Sequence, residues 1–193
     1  EVYYQVKVNK HAEIVGLEAL LRWDHPEFGM VMPSEFIPIA EQGGKISAIT
    51  QWVIERVSED LPRLRQWLNK RFRVSINLSG HDLRNSHLFD NIYTVFQSYQ
   101  VNPEYVEFEV TESAYLENFA LSNKFFKRMS NMGCAIALDD FGTGYSSLSY
   151  LTQISIDTLK IDKQFIRELE TSERSQLVTG AIIDLAKRLS LSV

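Results

Sequence analysis

A single cysteine, Cys134, in 193 residues excludes a disulfide framework and a thiolate metal cluster, and suits a reduced, cytoplasmic setting. No run approaches the roughly 20 apolar residues that a membrane span needs. The N-terminus lacks the basic flank, apolar stretch and small-residue cleavage site of a signal peptide. Basic residues are also scarce: 20 Lys and Arg against 25 Asp and Glu leave a net charge of −5. That argues against a long groove tracking the phosphates of a nucleic-acid polymer. A small phosphate ligand stays within reach, given locally placed cations. There is no low-complexity linker, charge block or internal repeat, and no glycine-rich phosphate loop after the first apolar run. What is present is 45% hydrophobic residues, enough for one domain with a sizeable core.

Apolar, β-rich runs fall at residues 2–8, 13–20, 71–78, 105–111, 134–138 and 158–161. Between most of them lies helical periodicity. Ile46, Ile49, Trp52, Val53 and Val57 recur at threes and fours, followed by Leu61, Leu64 and Leu68. Pro62 in that stripe predicts a kink or a split. A second stripe runs through Leu177, Val178, Ala181, Ile182, Leu185 and Leu189, with Thr171 or Ser172 as its N-cap. Strands separated by helices of this length imply βα units and a mostly parallel sheet. The first two runs, joined only through residues 9–12, read instead as an antiparallel hairpin opening the fold.

Within the strands, small or polar residues alternate with large aliphatic ones, as in Ser75-Ile76-Asn77-Leu78, Ala135-Ile136-Ala137-Leu138-Asp139 and Thr158-Leu159-Lys160-Ile161. A closed barrel explains this: its interior takes one parity and its helix-facing side the other. An open doubly wound sheet would be aliphatic on both faces. The expected architecture is therefore an α/β fold of the TIM type, a (β/α) barrel with an antiparallel first strand.

The polar inward residues are expected at the C-terminal ends of their strands, where such barrels build active sites. In order they are Glu18, Asn77, Glu109, Glu112, Asp139, Asp140 and Lys160. Two carboxylates about 4 Å apart repel by roughly 4 kcal/mol at an effective dielectric of 20. Bound divalent cations would turn that repulsion into coordination. Oxygen ligands without histidine or thiolate favour Mg²⁺ or Mn²⁺, and the pair Asp139-Asp140 suggests two ions acting on a phosphoester. Singly, each residue has an ordinary alternative: a surface glutamate, turn chemistry at Asn77, a strand-edge charge at Lys160. Asp140-Phe141-Gly142 resembles the kinase tripeptide, but the glycine-rich and catalytic loops of a kinase are lacking. The four histidines form no ligand spacing, and Trp23, Trp52 and Trp67 read as core or interface packing.

Taken together the motifs resemble the EAL domain family of cyclic di-GMP phosphodiesterases. Glu18-Ala19-Leu20-Leu21-Arg22-Trp23 is similar to the family signature. It is followed in order by Pro33-x-x-Phe36-Ile37-Pro38-x-Ala40-Glu41, Val74-Ser75-Ile76-Asn77-Leu78-Ser79 and Glu109-Val110-Thr111-Glu112-Ser113. Asp139-Asp140-Phe141-Gly142-Thr143-Gly144-Tyr145-Ser146-Ser147-Leu148 and Lys160-Ile161-Asp162-x-x-Phe165 complete the set. The resemblance covers residues 1–193 as one domain. It implies hydrolysis of cyclic di-GMP to linear pGpG in bacterial second-messenger signalling. It further implies Glu18, Asn77, Glu109 and Asp139 as metal ligands, Asp140 on a second ion, and Lys160 holding or helping to deprotonate the attacking water. Arg22 would grip a phosphate, Gln5 and Leu20 would contact the ligand, Glu112 would order the loop 140–147, and Asp162 would tune Lys160.

Two departures stand out: Val6 follows Gln5 where the family has proline, and the sequence reaches Val193 where the family begins another strand. That strand leads to a Glu-Gly-Val-Glu motif whose first glutamate joins the metal site, and the last strand carries a Gln-Gly-Tyr-type motif. The barrel is thus expected without its C-terminal portion. A homodimer through residues 142–151, and sensory or membrane-anchoring regions elsewhere in a longer signalling protein, are expected from the family. A cyclic di-GMP receptor without catalysis and a protein-interaction module remain as alternative functions.

Overall fold

The alternation of residue size along the strands sorts the sheet into two faces. The computed structural model describes residues 1–68, 72–142, 150–151 and 153–193. Strands β1 (Val2–Val8) and β2 (Ile14–Leu21) form the antiparallel opening hairpin, with Gln5 opposite Glu18 and Lys7 opposite Gly16. Parallel strands β5 (Arg73–Leu78), β6 (Val106–Thr111), β7 (Ala135–Phe141) and β8 (Thr158–Ile161) follow. Among the described residues the sheet order is β1-β2-β5-β6-β7-β8. Ser192 begins another parallel pairing beside β8: its N–H donates to Asp157 O and its carbonyl accepts from Leu159 N, both at 2.9 Å.

Curvature follows from contacts across the concave face. A flat sheet would separate β2 from β8 by about 19 Å, four strand spacings. Yet Lys160 Nζ on β8 lies 3.8 Å from Glu18 Oε2 on β2. The sheet curls as the TIM-barrel architecture requires.

The convex face carries Val74, Ile76, Phe108, Ile136, Leu138 and Leu159, all buried against helices. Helix α2 (Ile46–Leu68) buries Val53, Ile54, Val57, Leu61 and Leu64 on it. It is not split at Pro62. One lost backbone hydrogen bond is small beside the burial of Leu61 and Leu64 on either side, so packing overrides the local preference. Helices α4 (Leu88–Ser98) and α6 (Phe119–Met132) add Ile92, Phe96, Phe126 and Met129, and α6 ends at Gly133 with φ +106°, a left-handed C-cap. Helix α8 (Glu173–Arg188) is capped by Ser172, whose hydroxyl accepts from Ser175 N. Its inner face is Ser175, Thr179, Ile182 and Ala186. Leu177, assigned to that stripe from sequence, is exposed. Trp23, Trp52 and Trp67 are likewise exposed rather than in the core.

A second short hairpin, β3 (Trp23–His25) and β4 (Gly29–Val31), precedes α1 (Pro33–Gln42). Three-residue strands give too little periodicity to be read from sequence. Helices α3 (Gly80–Arg84), α5 (Glu112–Glu117) and α7 (Lys163–Arg167) each start directly after a strand end. Residue 71, the expected start of the third strand, and residues 143–149, most of the expected dimer segment, lie outside the described residues. No described helix is long and apolar enough to cross a membrane.

Phe126 is fully buried and stacks on Tyr115 with ring centroids 5.4 Å apart. Phe126→Ala is expected to lower the unfolding free energy by about 3–5 kcal/mol, read from the urea midpoint.

Candidate active site

Interior positions on five strands converge because the parity set by β1 and β2 carries around the sheet. Glu18 comes from β2, Asn77 from β5, Glu109 from β6, Asp139 from β7 and Lys160 from β8. Asn77 Nδ2 donates to Glu18 Oε1 at 3.1 Å. Lys160 Nζ donates to Asp139 Oδ2 at 2.6 Å and to Glu109 Oε2. Glu109 has no solvent exposure at all. Burial alone would lower the Lys160 pKa, but the Glu109 and Asp139 charges outweigh it and hold the ammonium well above its ordinary range.

Below this ring lies a second polar layer absent from the sequence reading, which placed every polar inward residue at a strand C-terminus. Lys7 Nζ donates to Ser75 Oγ at 2.5 Å, Glu107 Oε2 at 3.0 Å and Glu109 Oε1 at 2.5 Å. Ser75 Oγ and Thr158 Oγ1 also donate to Glu107, at 2.6 and 3.1 Å. Lys7 shares its parity with Gln5, and Glu107 shares its parity with Glu109. That pattern was the available signal. The carboxylate repulsion that argued for metal ions is therefore offset in part by two of the chain's own ammonium groups.

The remaining predicted residues surround the ring. Asp140 adopts φ +54°, and its N–H donates to Asp139 Oδ1 at 2.8 Å. Its carboxyl is pushed up by burial and by the neighbouring Asp139 and Asp162 charges. Asp162, expected to tune Lys160, caps α7 by accepting from Gln164 N at 2.6 Å, and its charge is among those that raise the Asp140 carboxyl. The capping geometry of the strand-to-helix turn aims it there. Glu112 opens α5 and is buried. It accepts from Gly142 N at 3.3 Å and from Tyr150 Oη at 2.6 Å, so it grips the residues flanking 143–149 on both sides. Gly142 has φ +100°, and a Cβ there would meet Ile182 and Phe165 at 3.1 Å. Arg22 packs its guanidinium over Tyr3 and donates to Leu21 O at 2.7 Å. Leu20 and Asn77 line a cleft of about 710 Å³ that runs toward Pro33, Ile37 and His81. Gln5 is exposed on β1, opposite Glu18.

Among the described residues, no three His, Cys, Asp or Glu side chains are drawn into a ready ion cage. The donor chemistry nevertheless suits hard cations, being all oxygen. Four carboxylates (Glu18, Glu107, Glu109, Asp139) less two ammonium groups (Lys7, Lys160) leave two formal negative charges, matching one divalent ion.

Fold and site together define a TIM-barrel-like α/β domain with an acidic, lysine-bridged centre among its inward-facing strand residues. The EAL domain family model matches residues 1–193, and the chain belongs to that family. It is 36% identical over 194 residues to the cyclic di-GMP phosphodiesterase NbdA of Pseudomonas aeruginosa, covering 100% of this chain and 25% of that protein. It is 37% identical over 196 residues to the cyclic di-GMP phosphodiesterase PdeR of Escherichia coli, covering 100% and 29%. The chain thus spans between a quarter and a third of these relatives' length. The structure of the PaMucR phosphodiesterase in complex with c-di-GMP superposes with a TM-score of 0.91 at 35% identity, covering 99% of this chain and 78% of that one.

Glu107 carries a pH prediction. Burial pushes its carboxyl up, but the Lys7 charge and the Ser75, Lys7 and Thr158 hydrogen bonds outweigh it, holding it below its ordinary 4.5. Lys7 is lowered by burial and raised further by Glu109 and Glu107, ending above its ordinary 10.5. The stability from Glu107 is present above pH 4.5 and lost as pH falls through its depressed value. That from Lys7 is present below pH 10.5 and lost as pH rises through its raised value. Glu107→Gln is expected to flatten the acid limb of a stability–pH curve by up to about 1.4 kcal/mol per pH unit, measured by urea unfolding.

Proposed function

We propose that this chain is the catalytic domain of a cyclic di-GMP phosphodiesterase, hydrolysing one phosphodiester to yield pGpG with Mg²⁺ or Mn²⁺. The observation that carries this is the convergence of Glu18, Asn77, Glu109, Asp139 and Lys160 in a chain whose relatives are named for that activity.

Glu18, Asn77, Glu109 and Asp139 would hold one ion, and Asp140 would hold a second. When bound, the ions supply Lewis-acid polarisation of the phosphate and a water of lowered pKa. The chain's own groups do the positioning. Lys160, kept charged by Glu109 and Asp139, is a donor that holds the attacking water or a phosphoryl oxygen. Arg22 swings from Leu21 O to a phosphate, where a planar guanidinium binds two oxygens at once. The Leu20 cleft supplies apolar walls for a base, and Gln5 reaches the ligand from the first strand. Glu112 holds Gly142 and Tyr150. The domain's share of its relatives' length supports its being one part of a longer bacterial signalling protein. A homodimeric state and a cytoplasmic location belong to the same reading.

Incubation of the full-length protein with cyclic di-GMP and Mg²⁺ or Mn²⁺, with chromatographic separation of nucleotides, tests this. Ion-dependent pGpG is expected, with Glu18→Ala and Lys160→Ala each reducing kcat by about 100-fold or more. Tight calorimetric binding without turnover would identify a receptor instead.

A further inference from the structure

We propose that Lys7 is the built-in cation of this site: a positioning residue that fixes Glu109 from below and keeps the carboxylate cluster folded before any ion binds. The inference rests on the phosphodiesterase reading and deepens it. An ammonium has three N–H bonds, and those of Lys7 meet three acceptors: Ser75 Oγ, Glu107 Oε2 and Glu109 Oε1. None is left for a substrate, so any influence of Lys7 on the reaction passes through Glu109.

The backbone is shaped to deliver this side chain. Lys7 is the last residue of β1 in regular register, and the pairing shifts between it and Val8, as a bulge that aims a side chain does. Its partner Gly16 has no side chain to block the way. A Cβ there would lie 3.4 Å from Lys7 Cδ and 3.2 Å from Arg73 O. Glu107 and Glu109 stand two residues apart on one face of β6, nearly unexposed. Without Lys7, Glu107 would keep only the Ser75 and Thr158 hydroxyls, and Oε1 of Glu109 would lose its ammonium partner. With Lys7 on Oε1, the carboxylate plane is fixed and Oε2 is presented to Lys160. Removing one partner of a buried ion pair leaves an uncompensated charge, which is far more destabilising than an exposed pair's loss.

The test compares wild type, Lys7→Met and Lys7→Arg in the full-length protein by thermal melting in EDTA and in millimolar Mg²⁺. Lys7→Met keeps the volume without the charge and is expected to melt about 10 °C lower in EDTA. Mg²⁺ should restore at least half of that loss, and Lys7→Arg should restore it without an ion. In the ion-loaded enzyme, kcat of Lys7→Met should fall about 10- to 100-fold, with KM changed less than about threefold. An unchanged melting point in EDTA, or a loss equal in EDTA and Mg²⁺, would overturn the proposal. Calorimetric titration with Mn²⁺ separates the two levels. Wild type that binds no Mn²⁺ sinks the metal reading itself, whereas Mn²⁺ binding alongside an ion-independent loss sinks only the role of Lys7.

Discussion

A carboxylate with no access to water, Glu109, sits between the ammonium groups of Lys7 and Lys160, and the concave face is organised around it. A buried charge survives only when paired and hydrogen-bonded. Its two partners come from β1 and β8, opposite ends of the described strand order. A flat sheet would leave Glu109 several strand spacings from Lys7 and stranded without a counter-charge. Curvature and charge pairing therefore require one another.

Above that pair the interior stays polar and partly open, and the surrounding structure holds it in shape through strand-to-helix turns. Thr111 caps α5, Ser79 caps α3 with a reciprocal contact from Asp82, and Asp162 caps α7. Each cap fixes the residue that follows a strand, where barrel sites are built. Glu112, the first residue of α5, uses its carboxylate to join β6 to the far side of residues 143–149 through Tyr150, whose hydroxyl is held protonated by burial and by that carboxylate.

Much of this was legible in the sequence, for identifiable reasons. The bounds of β1 and β8 follow from apolar runs bordered by polar turns, and the inward parity of Glu18, Asn77, Glu109, Asp139 and Lys160 follows from period-two alternation. Lys7 and Glu107 were missed because a charged residue on a strand reads as solvent-facing by default; their parity with Gln5 and Glu109 pointed the other way, and their mutual contact, 100 residues apart in sequence, shows why. Of the α8 stripe, Val178, Ile182, Leu185 and Leu189 pack on the core; Ser175 and Thr179 are buried polar residues that a hydrophobic pattern skips, and Leu177 is an exposed apolar one. The β3–β4 hairpin packs on α1 through the edge contact of Trp23 with Phe36, a tertiary contact that no local pattern encodes.

Strand β1 pairs antiparallel with β2 and carries Lys7 into the interior. Side chains alternate between faces along a strand, so a slip of one residue in that pairing would present Val6 or Val8 where Lys7 belongs. The register of a single hairpin thereby becomes a control on the electrostatics at the middle of the sheet.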